Sequence, residues 1–130
     1  MKTIHEENYV EKAESVMRAL IQTGRDGKKN FAFTTTQIRK LLSISADIYD
    51  GAKNEQDDRI SPKLKEKLNY LRVQIVYQAG RLPKNVKPFV EKAELLEVLK
   101  ETGDERKNVL LFCRYMEALV AYHRYLGGEN

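Results

Sequence analysis

Few side chains in this sequence are suited to covalent or metal chemistry: two histidines, His5 and His123, and one cysteine, Cys113. A four-ligand zinc site built on them would need two carboxylates, and none stands at a recognisable ligand spacing. His123 falls on the apolar side of a C-terminal helical pattern, where a partly buried, hydrogen-bonded histidine is commoner than a catalyst. Cys113 precedes Arg114, a neighbour that favours a thiolate, but a small core residue is the simpler role. Asp57 and Asp58 offer paired carboxylates for a divalent cation, yet such pairs on polar loops are usually solvated. There is no phosphate-binding loop, dinucleotide fingerprint or zinc-protease motif. No set of residues supplies a nucleophile, a base and an oxyanion donor together. The expectation is a protein without enzymatic activity, cofactor or metal.

Charge carries more information. From Pro62 to Pro88 stand seven basic residues, Lys63, Lys65, Lys67, Arg72, Arg81, Lys84 and Lys87, against one acidic residue, Glu66. That is +6 in 27 residues, more than the +4 of the whole chain. Residues 1–22 sum to −1 and residues 89–102 to −2. A phosphate backbone is attracted to the first stretch and repelled by the other two. On a helix Lys65 and Arg72 share one side, and Lys63, Lys67, Tyr70, Gln74, Tyr77 and Arg81 follow another at spacings of three and four. Arg39, Lys40 and the Arg25–Lys29 loop add to the basic surface. Such side chains bond phosphates and sugars without reading bases. The plainer reading is a solvated lysine face, with Tyr70 and Tyr77 packed at the core edge and Arg72 in a structural ion pair.

The elements that position these residues follow from apolar spacing. Tyr9, Ala13, Val16/Met17 and Leu20 predict a helix over 5–22, followed by a flexible basic loop, Gly24–Asn30. Thr34, Thr35 and Thr36 are candidate N-caps of a second helix, and Gln37 completes a capping box with Thr34. Its buried stripe is Ile38, Leu41/Leu42, Ser45 and Ile48/Tyr49, and Gly51–Arg59 reads as a loop. Ser61 followed by Pro62 is a strong start for a third helix, buried through Leu64, Leu68, Leu71, Ile75 and Ala79. Pro83 and Pro88 bracket a connection to a fourth helix carrying Phe89, Ala93, Leu96 and Leu99, with Gly103 as its C-cap. A last helix runs from about Glu105 to Leu126. The prediction is an all-α, compact bundle of about five helices in a single domain, residues 1–130.

Composition sets outer bounds. Hydrophobic residues at 42% and charged residues at 32% are ordinary for a globular protein. Ten Gly and Pro residues are too few for a many-turned β fold. No apolar run approaches the roughly 20 residues that span a bilayer. No apolar segment follows Met1, so no secretory signal is expected, and a lone cysteine fits a reducing cytoplasm.

Two strings resemble a known family: Leu71-Arg72-Val73-Gln74-Ile75-Val76-Tyr77-Gln78-Ala79-Gly80-Arg81 and Phe112-Cys113-Arg114-Tyr115-Met116-Glu117-Ala118-Leu119-Val120-Ala121-Tyr122. Both are similar to signatures of the small subunit of the type III-A CRISPR–Cas (Csm) effector complex. Glu7–Val10, Thr34–Ser43 and Val90–Glu97 resemble it in the same order, whereas Gly51–Arg59 matches nothing in it. The resemblance implies a non-catalytic ribonucleoprotein subunit in antiviral defence. It implies packing in several copies beside a repeated backbone subunit and a large subunit, and contact with guide and target RNA backbones. RNA-binding residues expected on this basis are Arg72, Arg81 and Arg39, then Lys40, Arg114, Lys63 and Lys67, with Glu117 a possible neutraliser of Arg114. Three other roles compete. One is a purely structural spacer in which Glu91–Glu101 of one copy faces Lys63–Arg81 of the next. Another is a helix-turn-helix DNA-binding regulator, for which the Arg81–Pro88 connection is long. An enzyme is the weakest.

Overall fold

Two N-terminal caps set the register of the helices that matter most. In a computed structural model describing all residues 1–130, the Thr34 hydroxyl accepts from the Gln37 backbone N–H while the Gln37 side chain accepts from the Thr34 N–H. This capping box starts helix α2 (Thr35–Asn54), after α1 (Tyr9–Leu20). The Ser61 hydroxyl accepts from the Leu64 N–H, and Pro62 takes the first position of α3 (Pro62–Arg81). Then come α4 (Val86–Lys92), α5 (Leu95–Glu101) and α6 (Arg106–Tyr125). Strands β1 (Gln22–Thr23) and β2 (Lys29–Asn30) pair antiparallel around Gly27, whose φ of 80° suits glycine.

The chain is predominantly helical, but with six helices rather than about five. The fourth expected helix is split at Ala93–Glu94. Glu94 lies in the left-handed region with φ 54°, and its carboxylate meets Lys12 Nζ of α1 at 2.6 Å. The buried Tyr115 hydroxyl donates to the Ala93 carbonyl at 2.9 Å, satisfying an acceptor that the break leaves without a helical partner. The helix also begins earlier than expected, at Val86, because Pro88 falls in its first turn, where its missing N–H costs nothing. Helix α2 runs past Gly51 to Asn54, since Ala52 continues the Ile48 stripe into the core. Gly51 permits this closeness: a Cβ there would stand 3.2 Å from Leu64 Cδ1 of α3. Basic loop Gly24–Asn30 is the tip and second strand of the hairpin.

The buried apolar side chains form one continuous cluster. Helix α6 packs on α1 and α2, α2 on α3, and α3 on α4 and α5. Ile4 is fully buried, and Thr3 donates from both its N–H and its hydroxyl to Glu101, tying the N-terminal segment to α5. His123 is wholly buried between Phe31 and Phe33, with Nε2 3.2 Å from the Phe33 carbonyl. Burial pushes its pKa below the ordinary 6.5 and outweighs the opposing hydrogen bond.

Two outcomes are expected from these packing features. Tyr115→Phe should cost about 1–3 kcal/mol in urea unfolding, because it leaves the buried Ala93 carbonyl without its donor; an unchanged midpoint would contradict that role. His123 has a depressed folded pKa, so its contribution is intact above pH 6.5 and is lost as pH falls from there through the folded value. The stability gap between wild type and His123→Gln should therefore narrow between pH 7.5 and 5, measured by thermal unfolding at each pH.

Candidate nucleic-acid interface

Burying Leu64, Leu68, Leu71, Ile75 and Ala79 points the rest of α3 away from the core. At about 100° per residue, two basic flanks result. Lys63, Lys67, Gln74 and Arg81 fall on one flank and Lys65 with Arg72 on the other, with Tyr70 and Tyr77 between them at the edge of the first. The first flank borders α2. Lys63, Glu66, Lys67 and Tyr70 line a shallow groove with Ser43, Ile44 and Asp47. Lys40 Nζ sits 5.9 Å from the centre of the Tyr70 ring, so Lys40 joins the same surface.

The cations differ in how free they are. Lys67 is paired with Asp47 at 2.9 Å. Lys65 meets Asp104 at 3.1 Å, and Arg59 meets the same carboxylate at 3.0 Å. The Lys65 hydrogen bond is the main cause that holds Asp104 below the usual carboxylate range. The chain's ion pairs include none of Arg39, Lys40, Lys63, Arg72, Arg81 or Arg114. Arg81 donates from Nε and Nη2 to the Gln78 amide oxygen, at 3.2 and 2.9 Å. That fixes its planar head without neutralising it.

The seven sequence-expected residues thus separate into places. Lys63 and Lys67 line the α2–α3 groove, Lys40 stands beside it over the Tyr70 ring, and Arg81 lies farther along the same flank. Arg39 is exposed in the first turns of α2, one residue before Lys40. Arg72 lies on the opposite flank of α3 from Arg81, nine residues or about half a turn away. Arg114 is exposed on α6, on the other side of α2. The Tyr49 hydroxyl beside it, then Tyr9 and Glu6, hold its pKa above the usual arginine value. Glu117 makes no ion pair with it.

No carboxylate interrupts residues 67–90, so Lys84 and Lys87 extend the positive field of Arg81 onto the link to α4 and its first turn, as the charge count from Pro62 to Pro88 anticipates. One further feature was not singled out from sequence, an exposed apolar crest on α3. Tyr70 and Tyr77 stand out on that crest instead of packing at the core edge.

The other chemical candidates are spread apart. The Cys113 thiol is buried against the Ser45 carbonyl, and burial pushes its pKa up to about 11, the reverse of an activated thiol. His5 is exposed beside Glu7, whereas His123 is enclosed. No three His, Cys, Asp or Glu side chains stand where they could hold a metal ion. The α3–α4 connection is four residues, Leu82–Asn85, shorter than the Arg81–Pro88 span expected. Helix α4 has seven residues and buries Val86, Phe89 and Val90, so it presents no exposed recognition helix. No helix is long and apolar enough to cross a membrane.

The comparisons agree with one another. A family model described as Csm2 Type III-A matches residues 10–129. The chain is 48% identical over 130 residues to CRISPR system Cms protein Csm2 of Streptococcus thermophilus, covering 100% of both. It is 47% identical over 128 residues to the protein of that description in Mycobacterium tuberculosis, covering 98% of each. The similarity to its Enterococcus italicus counterpart is 35% over 95 residues, 71% of this chain and 66% of the other.

The Asp47–Lys67 pair is exposed enough to contribute at most about 1 kcal/mol. Asp47→Asn should therefore leave stability within that margin while freeing Lys67 in the groove. Its elution from a heparin column should shift to higher salt than that of Asp57→Asn, which makes the same change of charge elsewhere. Equal shifts would show that the groove does not focus the positive field.

Proposed function

The chain belongs to the Csm2 type III-A family, and on that premise we propose that it is the non-catalytic small subunit of a type III-A CRISPR ribonucleoprotein. As a single cytoplasmic domain it packs in several copies along the filament, beside the repeated backbone subunit and the large subunit. It contacts guide and target RNA through phosphates and supports antiviral defence without chemistry of its own. The observation that carries the RNA reading is the acid-free run from Lys67 to Val90, on which Arg72 and Arg81 lack carboxylate partners. Lys40 and Lys63 extend the surface from the α2 side.

The physical logic is uniformity. A subunit repeated along changing guide sequences must bind every nucleotide alike. The phosphate is the group every nucleotide shares, and its contacts fix register without reading letters. The competing spacer reading needs free carboxylates on the fourth helical region. Glu94 is engaged by Lys12 and Glu101 by Thr3 within the chain, which leaves Glu91 and Glu97 to serve it.

The decisive variant is Arg72→Glu with Arg81→Glu, placed in the assembled complex. Target RNA affinity should fall at least tenfold at moderate salt. The plot of log affinity against log salt should become shallower by about 0.7 for each phosphate that the protein no longer neutralises. Circular dichroism should be unchanged, since both side chains are exposed. Unchanged affinity together with an unchanged salt slope would refute the RNA-contacting role of α3.

A further inference from the structure

Six large hydrophobic side chains are exposed in the whole protein, and four lie on α3 within eight residues: Tyr70 (47% exposed), Val73 (59%), Val76 (54%) and Tyr77 (57%). Tyr70, Val73 and Tyr77 follow spacings of three and four, which places them on one crest of the helix, with Val76 at its edge. The crest is opposite the buried Leu64–Ile75 stripe and is not needed for the fold. Cations flank it on both sides, Lys63, Lys67 and Arg81 on one and Arg72 on the other.

From this juxtaposition we propose that the α3 crest is a stacking platform for unpaired nucleotides, with Tyr70 and Tyr77 each taking the face of a base. The inference rests on the RNA reading above and deepens it: the strand is held by base faces as well as by phosphates. An apolar strip with cations on either side, and with Glu66 as its one carboxylate a turn before Tyr70, matches a single strand, which has apolar base faces beside a line of negative charge. Stacking keeps the contact independent of sequence, because every base has a π face. Two rings seven residues apart are separated by about 10.5 Å along the helix, roughly three steps of 3.4 Å in a stacked strand. They therefore engage separate bases, each drawn out of its stack. A continuous duplex offers no such faces, so the platform selects unpaired segments.

The test uses the full chain and a single-stranded RNA carrying 2-aminopurine, with the blunt duplex of the same sequence for comparison. Tyr70→Leu with Tyr77→Leu keeps apolar surface and helix propensity but removes the rings. It should weaken single-strand binding at least tenfold and abolish fluorescence quenching, with duplex binding changed less than twofold and the salt slope unaltered. Tyr70→Phe with Tyr77→Phe should bind the single strand within twofold of wild type. Single-strand affinity and quenching retained by the leucine variant would overturn the platform. If that variant instead lost incorporation into the complex while its RNA affinity held, the crest would be a protein-docking surface and the proposal would likewise fall. Failure of the platform is separable from failure of the RNA reading, because Arg72→Glu with Arg81→Glu would still weaken binding and flatten the salt slope in the first case and not in the second.

Discussion

Leu64, Leu68, Leu71 and Ile75 are buried in the core, and burying them fixes the direction of every other residue on α3. Each large core side chain stabilises the fold by about 1.5–3 kcal/mol relative to exposure, so the helix cannot rotate to suit its charges. The cations take the directions that the stripe leaves. The flank against α2 acquires Lys63, Lys67 and Arg81, and the far flank acquires Lys65 and Arg72. The crest between them is left with Tyr70, Val73 and Tyr77. The electrostatic surface is thus a by-product of where the leucines fall, and the caps at Thr34 and Ser61 hold α2 and α3 in matching register.

Local features were the most readable. The Thr34–Gln37 capping box and the Ser61-Pro62 start needed only neighbouring residues, and both stand where the sequence predicts them. The buried stripe of α3 was equally plain from its period. The break at Ala93–Glu94 was not, because it is stabilised by Tyr115 and Lys12, which are distant in sequence. The same reason hides the ion pairs that occupy Lys67 and Lys65, whose partners are Asp47 on α2 and Asp104 before α6. The opposed directions of Arg72 and Arg81 follow from helical spacing alone, yet net charge treats them as one strip. The helical end of the Gly51–Arg59 segment was masked by its polarity, although Ala52 keeps the period of Ile48.

The remaining reactive groups serve packing. Burial that raises the Cys113 pKa and lowers that of His123 favours the neutral form of each, as a core requires. Glu94, between α4 and α5, braces α1 through Lys12, and Glu101 of α5 braces the N-terminal segment through Thr3. Two carboxylates are engaged in structural tasks on one side of the protein, while α3 keeps Lys63, Arg72 and Arg81 out of ion pairs. That division lets one small bundle be cohesive within itself and attractive to a polyanion outside.

On the proposed reading the α2–α3 surface meets nucleic acid. A structure of the assembled complex with target RNA tests it most directly, through the distances from Lys40, Lys63, Arg72 and Arg81 to the nearest phosphate oxygens. At least two of these nitrogens should stand at hydrogen-bonding range, about 2.7–3.2 Å. Helix α3 buried against a protein neighbour, with no phosphate in reach of any of the four, would contradict it.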